Sequence, residues 1–149
     1  MAKLLLHGAW VCTEDAGQQV LIENGYVGVQ DDKIVYVGKT EPAGFEDAER
    51  FERKYGFIMP GLVDMHYHSD SPATKGFQED CGSEHLYGSI LYEYLTAIYA
   101  ATTVEEWRAI ANLTFMEMIS GGITTCVEFN SYFPEEMVDL LGDCGLRGY

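Results

Sequence analysis

The first 38 residues alternate short apolar runs with polar breaks, a pattern typical of an antiparallel β-meander. The predicted strands cover residues 3–12, 19–23, 26–30 and 33–37. Asn24-Gly25 predicts a tight hairpin because both positions of such a turn need a positive φ. Asp31-Asp32 predicts the next turn. Residues 41–55 are charged and sparsely apolar, so we expect a connecting segment with at most a short strand around Phe51.

From residue 57 the pattern changes to buried strands separated by amphipathic helices. Residues 57–66 contain a Pro-Gly break and then a mostly apolar run, as expected for a strand buried on both faces of a parallel sheet. Helical spacing follows, and Thr103 with Glu106 predicts a helix start through a capping box. A second buried strand is predicted over 123–129. A helix and the start of a third strand follow it, so the order indicates an α/β fold.

Composition and charge narrow the class of protein. The 149 residues contain 9 Lys and Arg against 24 Asp and Glu, which gives a formal net charge of −15. Nucleic acid and anionic membranes are therefore poor partners, because the few basic residues cannot form a phosphate-binding patch. No apolar stretch approaches the roughly 18 residues of a membrane span, and His7-Gly8 interrupts the only leader-like run. We expect a cytoplasmic protein with Cys12 and Cys126 as buried free thiols rather than disulfide partners or metal ligands.

The His66-Tyr67-His68 triplet is the most informative candidate for chemistry. Residues two apart in an extended chain point to the same side, so both imidazoles face one position at the end of the predicted strand. This spacing suits two ligands of one metal ion, although histidines at this spacing also occur by chance and most are structural or surface residues. The buried strand before it and the Ser-Asp-Ser loop after it favour a ligand site, because parallel α/β units bind ligands at this edge.

These residues resemble a known family. Residues 59–68, Met-Pro-Gly-Leu-Val-Asp-Met-His-Tyr-His, closely resemble the first barrel strand of the metal-dependent amidohydrolase superfamily, whose signature is PGLxDxHxH. Residues 121–128 resemble its second strand, and residues 22–25 and 33–38 are similar to the small β-sandwich that the family builds from its two termini. The long segment between the two barrel strands is most like the cytosine deaminase-like branch of aminohydrolases and chlorohydrolases, which act on nitrogen heterocycles.

The resemblance implies a fold and a reaction. The fold is the N-terminal portion of a (β/α)8 barrel, with residues 1–56 in part of a β-sandwich and 57–149 in the first barrel units. His66 and His68 are implied to hold a divalent ion, Zn²⁺ or else Fe²⁺, that activates water for attack on a C–N or C–Cl bond of a small molecule. A whole barrel needs about 250 residues. The barrel is therefore incomplete in this chain, and the catalytic acid/base residue is expected beyond residue 149.

Weaker predictions concern the surroundings of this site and its partners. His85 is the candidate for substrate contact, and the favoured alternative is an exposed or helix-start histidine. Glu128 and Asn130 either support the site by hydrogen bonds or are plain strand-end polarity. We expect a partner chain or segment that supplies the rest of the barrel, and hence an oligomer. The alternative is a non-catalytic interaction subunit or inactive fragment that acts through its partner. A complete metal site in the assembly would favour the enzyme.

Overall fold

The computed structural model describes residues 2–69, 93–129 and 133–149. The chain divides into two compact units, Met1–Pro60 and Gly61–Tyr149. The first unit is a four-stranded sheet made of β1 (Lys3–Asp15), β2 (Gln18–Gln30), β3 (Lys33–Gly38) and β4 (Glu49–Ile58). Its strand order is β3-β2-β1-β4. β2 pairs antiparallel with both β1 and β3, so an antiparallel meander is present as predicted, although residues 19–23 and 26–30 form one strand. β4 lies parallel to β1.

The hairpin predicted at Asn24-Gly25, between residues 19–23 and 26–30, is wrong, because both segments belong to the single strand β2. The turn between β1 and β2 lies at Ala16-Gly17. Ala16 has φ +50° and Gly17 has φ +80°, the two positive values that a two-residue type I′ turn requires. Asn24 also has a positive φ, +51°, but it lies inside β2, and the register with β1 is the same on both sides of it. The longer hairpin is favoured because it pairs the whole of β1 with β2.

The segment after β3 also differs from the prediction. Residues 41–55 are predicted to be a connecting segment with at most a short strand, but β4 is ten residues long. Its aromatic residues, including Phe51 and Phe57, alternate with polar ones and are largely exposed. The charged composition does not indicate a strand, because pairing with the open edge of β1 uses backbone groups and does not depend on side-chain polarity.

The second unit is an α/β structure, as predicted. Its parallel sheet has the order β5-β6-β7, with β5 (Leu62–Tyr67), β6 (Ile123–Glu128) and β7 (Arg147–Gly148). The described helices are α1 (Leu95–Ala101), α2 (Val104–Ser120) and α3 (Pro134–Cys144). Among the described residues, no helix has the length and apolar character needed to cross a bilayer.

The boundary between the units lies after Pro60, four residues later than the predicted boundary after residue 56. Phe57 and Ile58 still pair with β1 and so belong to the first sheet. Phe57 and Ile58 are apolar and suit either sheet, so the sequence pattern alone does not assign them to the first one. Gly61 begins the second unit, where a Cβ would collide with the Thr124 side chain of β6. The Pro-Gly break thus lets the start of β5 approach β6 closely.

The core of the second unit lies between α2, α3 and β6. The buried apolar residues are Trp107, Ala111, Phe115, Met118, Cys126, Met137, Leu140, Leu141 and Leu146. The predicted capping box at the start of α2 is confirmed: the Thr103 hydroxyl accepts from the Glu106 N–H, and the Glu106 carboxylate accepts from the Thr103 N–H. Cys12 and Cys126 are free thiols, as predicted, although only Cys126 is fully buried. Burial, and next the Glu128 carboxylate, raise the pKa of the Cys126 thiol.

Candidate metal centre

His66 and His68 lie at the C-terminal end of β5 and bring their side chains together. The two Nε2 atoms are 3.1 Å apart, with the ring planes inclined at 61°. Two imidazole nitrogens on one tetrahedral Zn²⁺, each about 2.0–2.1 Å from the metal, stand about 3.3 Å apart. The spacing therefore fits two ligands of one ion. It also suits an N–H···N hydrogen bond, so a proton and a metal ion compete for the same lone pairs.

The backbone of β5 is irregular where the histidines project. Pairing with β6 shifts between Asp64 and Tyr67, and the Asp64 carboxylate accepts a hydrogen bond from the His66 N–H at 3.1 Å. Regular contact resumes where the Tyr67 carbonyl accepts from the Phe129 N–H at 2.8 Å. A local irregularity of this kind changes the direction of the side chains it carries. Asp64 thus has a structural hydrogen bond beside the histidine pair.

Tyr67 lies between the two histidines and packs against the core of the second unit. Burial is the main reason that its pKa is raised above the ordinary tyrosine value, and the nearby Glu128 carboxylate raises it further. The Tyr67 side chain anchors the strand by packing. The alternation of side chains along β5 separates this anchoring role from the exposed imidazoles.

Phe129 is a site residue that the sequence did not identify. It follows β6 directly, and its ring stacks on the His66 imidazole with centroids 4.3 Å apart and planes inclined at 14°. The same ring lies 6.1 Å from the His68 ring. Stacking restricts rotation of the His66 side chain. The available signal was its position at the end of the strand predicted next to the histidine strand.

The other predicted site residues divide into two groups. Glu128 ends β6, and its Oε1 accepts a hydrogen bond from the Ser69 N–H at 3.1 Å. Of the two alternatives for Glu128, the structure therefore contains the hydrogen bond to the segment that carries the histidines. His85 and Asn130 lie outside the described residues. Within the described ranges no group of three or more His, Cys, Asp and Glu side chains could hold a metal ion.

The comparison with known families settles the membership of the chain. Residues 57–148, more than half of the chain, match the Amidohydrolase family. The chain belongs to the amidohydrolase family. The resemblance drawn from the histidine strand and from residues 121–128 is thereby confirmed, and both segments of this amidohydrolase chain lie inside the matched range.

Individual relatives are similar over nearly all of the chain. A 5-methylthioadenosine/S-adenosylhomocysteine deaminase of Symbiobacterium thermophilum is 32% identical over 99% of the chain, which covers 33% of that protein. The structure of guanine deaminase from C. acetobutylicum with bound guanine has a TM-score of 0.75 at 16% identity, over 99% of the chain and 35% of the deaminase. An atrazine chlorohydrolase mutant of Arthrobacter aurescens, complexed with zinc and atraton, has a TM-score of 0.68 at 21% identity, over 97% and 34%. The amidohydrolase chain thus spans about a third of the length of these relatives.

Proposed function

We propose that this chain is the N-terminal part of a metal-dependent deaminase that acts on a nitrogen heterocycle. In this proposal the unit Met1–Pro60 is part of a β-sandwich, and Gly61–Tyr149 supplies the first units of a (β/α)8 barrel. The observation that carries the proposal is the 3.1 Å approach of the His66 and His68 Nε2 atoms. They lie at the C-terminal edge of a parallel sheet, which is where barrels of this type have their active sites.

The two histidines would hold a divalent ion, Zn²⁺ or alternatively Fe²⁺. Such an ion, when bound, lowers the pKa of a coordinated water to about 7 and so supplies hydroxide at neutral pH. For this role both imidazoles must be neutral and keep their Nε2 lone pairs directed at one point. The Phe129 ring, stacked on His66, restrains one of them. The remaining ligands and the residue that transfers protons would come from the segment that completes the barrel.

The reaction that we propose replaces an exocyclic amino group by oxygen. Water forms a C–O bond to the ring carbon, the C–N bond breaks, and the nitrogen leaves as ammonia after taking up a proton. We place deamination ahead of dechlorination because the relative at 32% identity is named as a deaminase. The likeness to the chlorohydrolase, at 21% identity, concerns the fold.

The names of the relatives and the charge of the chain both bear on the substrate class. The curated deaminase is named for adenosine-type nucleosides and the solved structure holds guanine, so we propose a purine base or an uncharged purine nucleoside. The net charge of −15 supports an uncharged substrate, because an acidic protein repels polyanions such as nucleoside triphosphates.

A further part of the proposal is that a segment or partner chain covers the open side of this sheet. Val63 and Met65 of β5 are 54% and 69% exposed, and Tyr149 beyond β7 is 80% exposed. β5 and β7 are the two edge strands of this parallel sheet. Parallel sheets are normally buried on both faces, so these exposed apolar residues need a covering layer. The rest of the barrel would provide it. Assembly into an oligomer stays a prediction.

A substrate panel tests the proposal. The complete protein is assayed with adenosine- and guanine-type compounds, aminopyrimidines, and amino- and chlorotriazines, beside dipeptides, hydantoins and lactones. We expect ammonia release from the amino heterocycles, and turnover confined to dipeptides, hydantoins or lactones would contradict the proposal. Absence of any turnover, together with absence of stoichiometric metal, would contradict it too and favour a non-catalytic subunit.

A further inference from the structure

Ser69, the residue directly after the histidine pair, is held from two sides. It is fully buried although it follows the exposed His68. Its N–H donates to Oε1 of Glu128 at 3.1 Å, and its carbonyl accepts from the Thr114 hydroxyl at 3.0 Å. One contact comes from the end of β6 and the other from the middle of α2. The backbone that leaves the histidine pair is therefore attached to two separate elements.

The partners of Ser69 are themselves firmly placed. Glu128 lies in β6, the strand between β5 and β7. The Glu128 N–H donates to the Tyr149 carbonyl at 3.0 Å. Thr114 is fully buried in α2, and its hydroxyl also lies 3.0 Å from the Ile110 carbonyl. A hydroxyl has one hydrogen to donate, so the two carbonyls share it. Because the Thr114 hydrogen is divided between two carbonyls, we expect the hydrogen bond from Ser69 to Glu128 to be the stronger of the two attachments.

These attachments act on His68 through the peptide bond. The bond between His68 and Ser69 is planar, so a fixed Ser69 N–H also fixes the carbonyl side of His68. β5 ends at Tyr67, and His68 lies beyond the last residue of the strand. His66, by contrast, is inside the strand and stacked on Phe129. His68 is thus the member of the pair whose direction depends on what holds the following residue.

We infer that Glu128 and Thr114 are positioning residues for metal binding: they fix the backbone of Ser69 and so direct His68 at the ion shared with His66. This inference rests on the proposed function, because it needs an ion at the histidine pair. It assigns Glu128 the role of a hydrogen-bond acceptor, and its charge is secondary. Residues that orient metal ligands typically contribute 10–100-fold in metal affinity.

Variants of Glu128 separate the hydrogen bond from the charge. In the complete protein, Glu128→Ala removes both, whereas Glu128→Gln keeps a carbonyl acceptor and removes the charge. Glu135→Ala is the matched control, since it deletes an exposed carboxylate from the first turn of α3. Zinc affinity is measured by competition with a chelator. We expect Glu128→Ala to weaken binding roughly 10–100-fold, Glu128→Gln to stay close to wild type, and Glu135→Ala to have no effect.

Two further readouts do not depend on activity. The visible absorption bands of the Co²⁺-substituted protein report ligand geometry, and we expect them to change in Glu128→Ala and to be restored in Glu128→Gln. Hydrogen exchange at Ser69 in the metal-free protein should accelerate in Glu128→Ala. Thr114→Val, which lacks the hydroxyl, should weaken zinc binding by less than Glu128→Ala does. Thr114→Ser keeps the hydroxyl and should bind zinc like the wild type. This pair keeps the inference testable if Glu128→Ala does not fold.

The outcomes distinguish this inference from the proposed function. Wild-type affinity and spectra in both Glu128→Ala and Thr114→Val would overturn the positioning role and leave the proposed function intact. A Glu128→Gln variant as weak as Glu128→Ala would show that the charge matters and would also overturn it. A wild-type protein that binds no zinc or other divalent ion would overturn both.

Discussion

The two sheets of this chain bring their residues together in different ways. In the first sheet, short turns join β1 to β2 and β2 to β3, and β4 is the strand that pairs with a segment distant in sequence. In the second, β5 and β6 pair in parallel although residues 68–122 separate them. This parallel pairing gathers side chains from distant segments at one edge of the sheet. The histidines show the consequence: His7 of the first sheet stacks on Tyr26, whereas His66 and His68 share a candidate metal position.

The largest effect is expected from the core of the second unit. Phe115 in α2 is fully buried, and Phe115→Ala should lower the free energy of unfolding by about 3–5 kcal/mol, because it removes apolar contacts and leaves a cavity. Phe51→Ala in β4 is the control, since that ring is 43% exposed. Urea unfolding of the complete protein measures both variants. Equal losses would contradict the assignment of Phe115 to a packed core.

The second-largest effect on stability is expected at the Ala16-Gly17 turn of the first sheet. Gly17→Ala should destabilise the protein by about 1–2 kcal/mol, because an L side chain is strained at its φ of +80°. Ala16→Gly should stabilise it by up to about 1 kcal/mol, because Ala16 already carries such strain at φ +50°. Urea midpoints of the two variants should therefore shift in opposite directions. A shift in the same direction would contradict the turn at Ala16-Gly17.

What the sequence could predict depended on how local each signal is. The capping box of Thr103 and Glu106 and the strand predicted over residues 123–129 have signals within a few residues, and both elements are present. The strand spans Ile123–Glu128, and Cys126 is its one fully buried residue. The hairpin prediction at Asn24-Gly25 is wrong because that dipeptide has a strong local turn signature, whereas pairing with the long strand β1, which continues to Asp15, keeps residues 18–30 in one strand. The length of β4 was underestimated because this segment becomes a strand by pairing with the open edge of β1, which is far away in sequence.

The candidate site shows the same division. The spacing of His66 and His68 followed from strand alternation alone, and the structure brings their Nε2 atoms together. The stacking of Phe129 on His66 and the hydrogen bond from Ser69 to Glu128 depend on how β5 lies against β6. That register shifts between Asp64 and Tyr67, and no local pattern indicates the shift.

The smallest expected effect is a pH dependence at the start of α2. Hydrogen bonds from the Thr103 backbone and then from its side chain lower the pKa of Glu106 below its ordinary value of 4.5. Their stabilising effect is therefore complete above about pH 4.5 and is lost as the pH falls through the lowered pKa. Amide exchange at the start of α2, corrected for its intrinsic pH dependence, should accelerate in acid.

Two variants check the origin of this pH dependence. Glu106→Gln should abolish it, because glutamine does not titrate. Glu105→Gln, which changes the exposed neighbour in the same turn, should keep it. The same pH profile in both variants would contradict the assignment to the capping box.

The central claim is that His66 and His68 act as a pair on one metal ion, and elemental analysis of the complete protein tests it most directly. His66→Ala and His68→Ala are compared with His7→Ala, which removes a histidine from the first sheet, and circular dichroism verifies that each variant is folded. We predict that either substitution in the pair abolishes stoichiometric metal, because one remaining imidazole cannot complete the ligand set. We also predict that His7→Ala retains it. Unchanged metal content in both His66→Ala and His68→Ala would contradict the account.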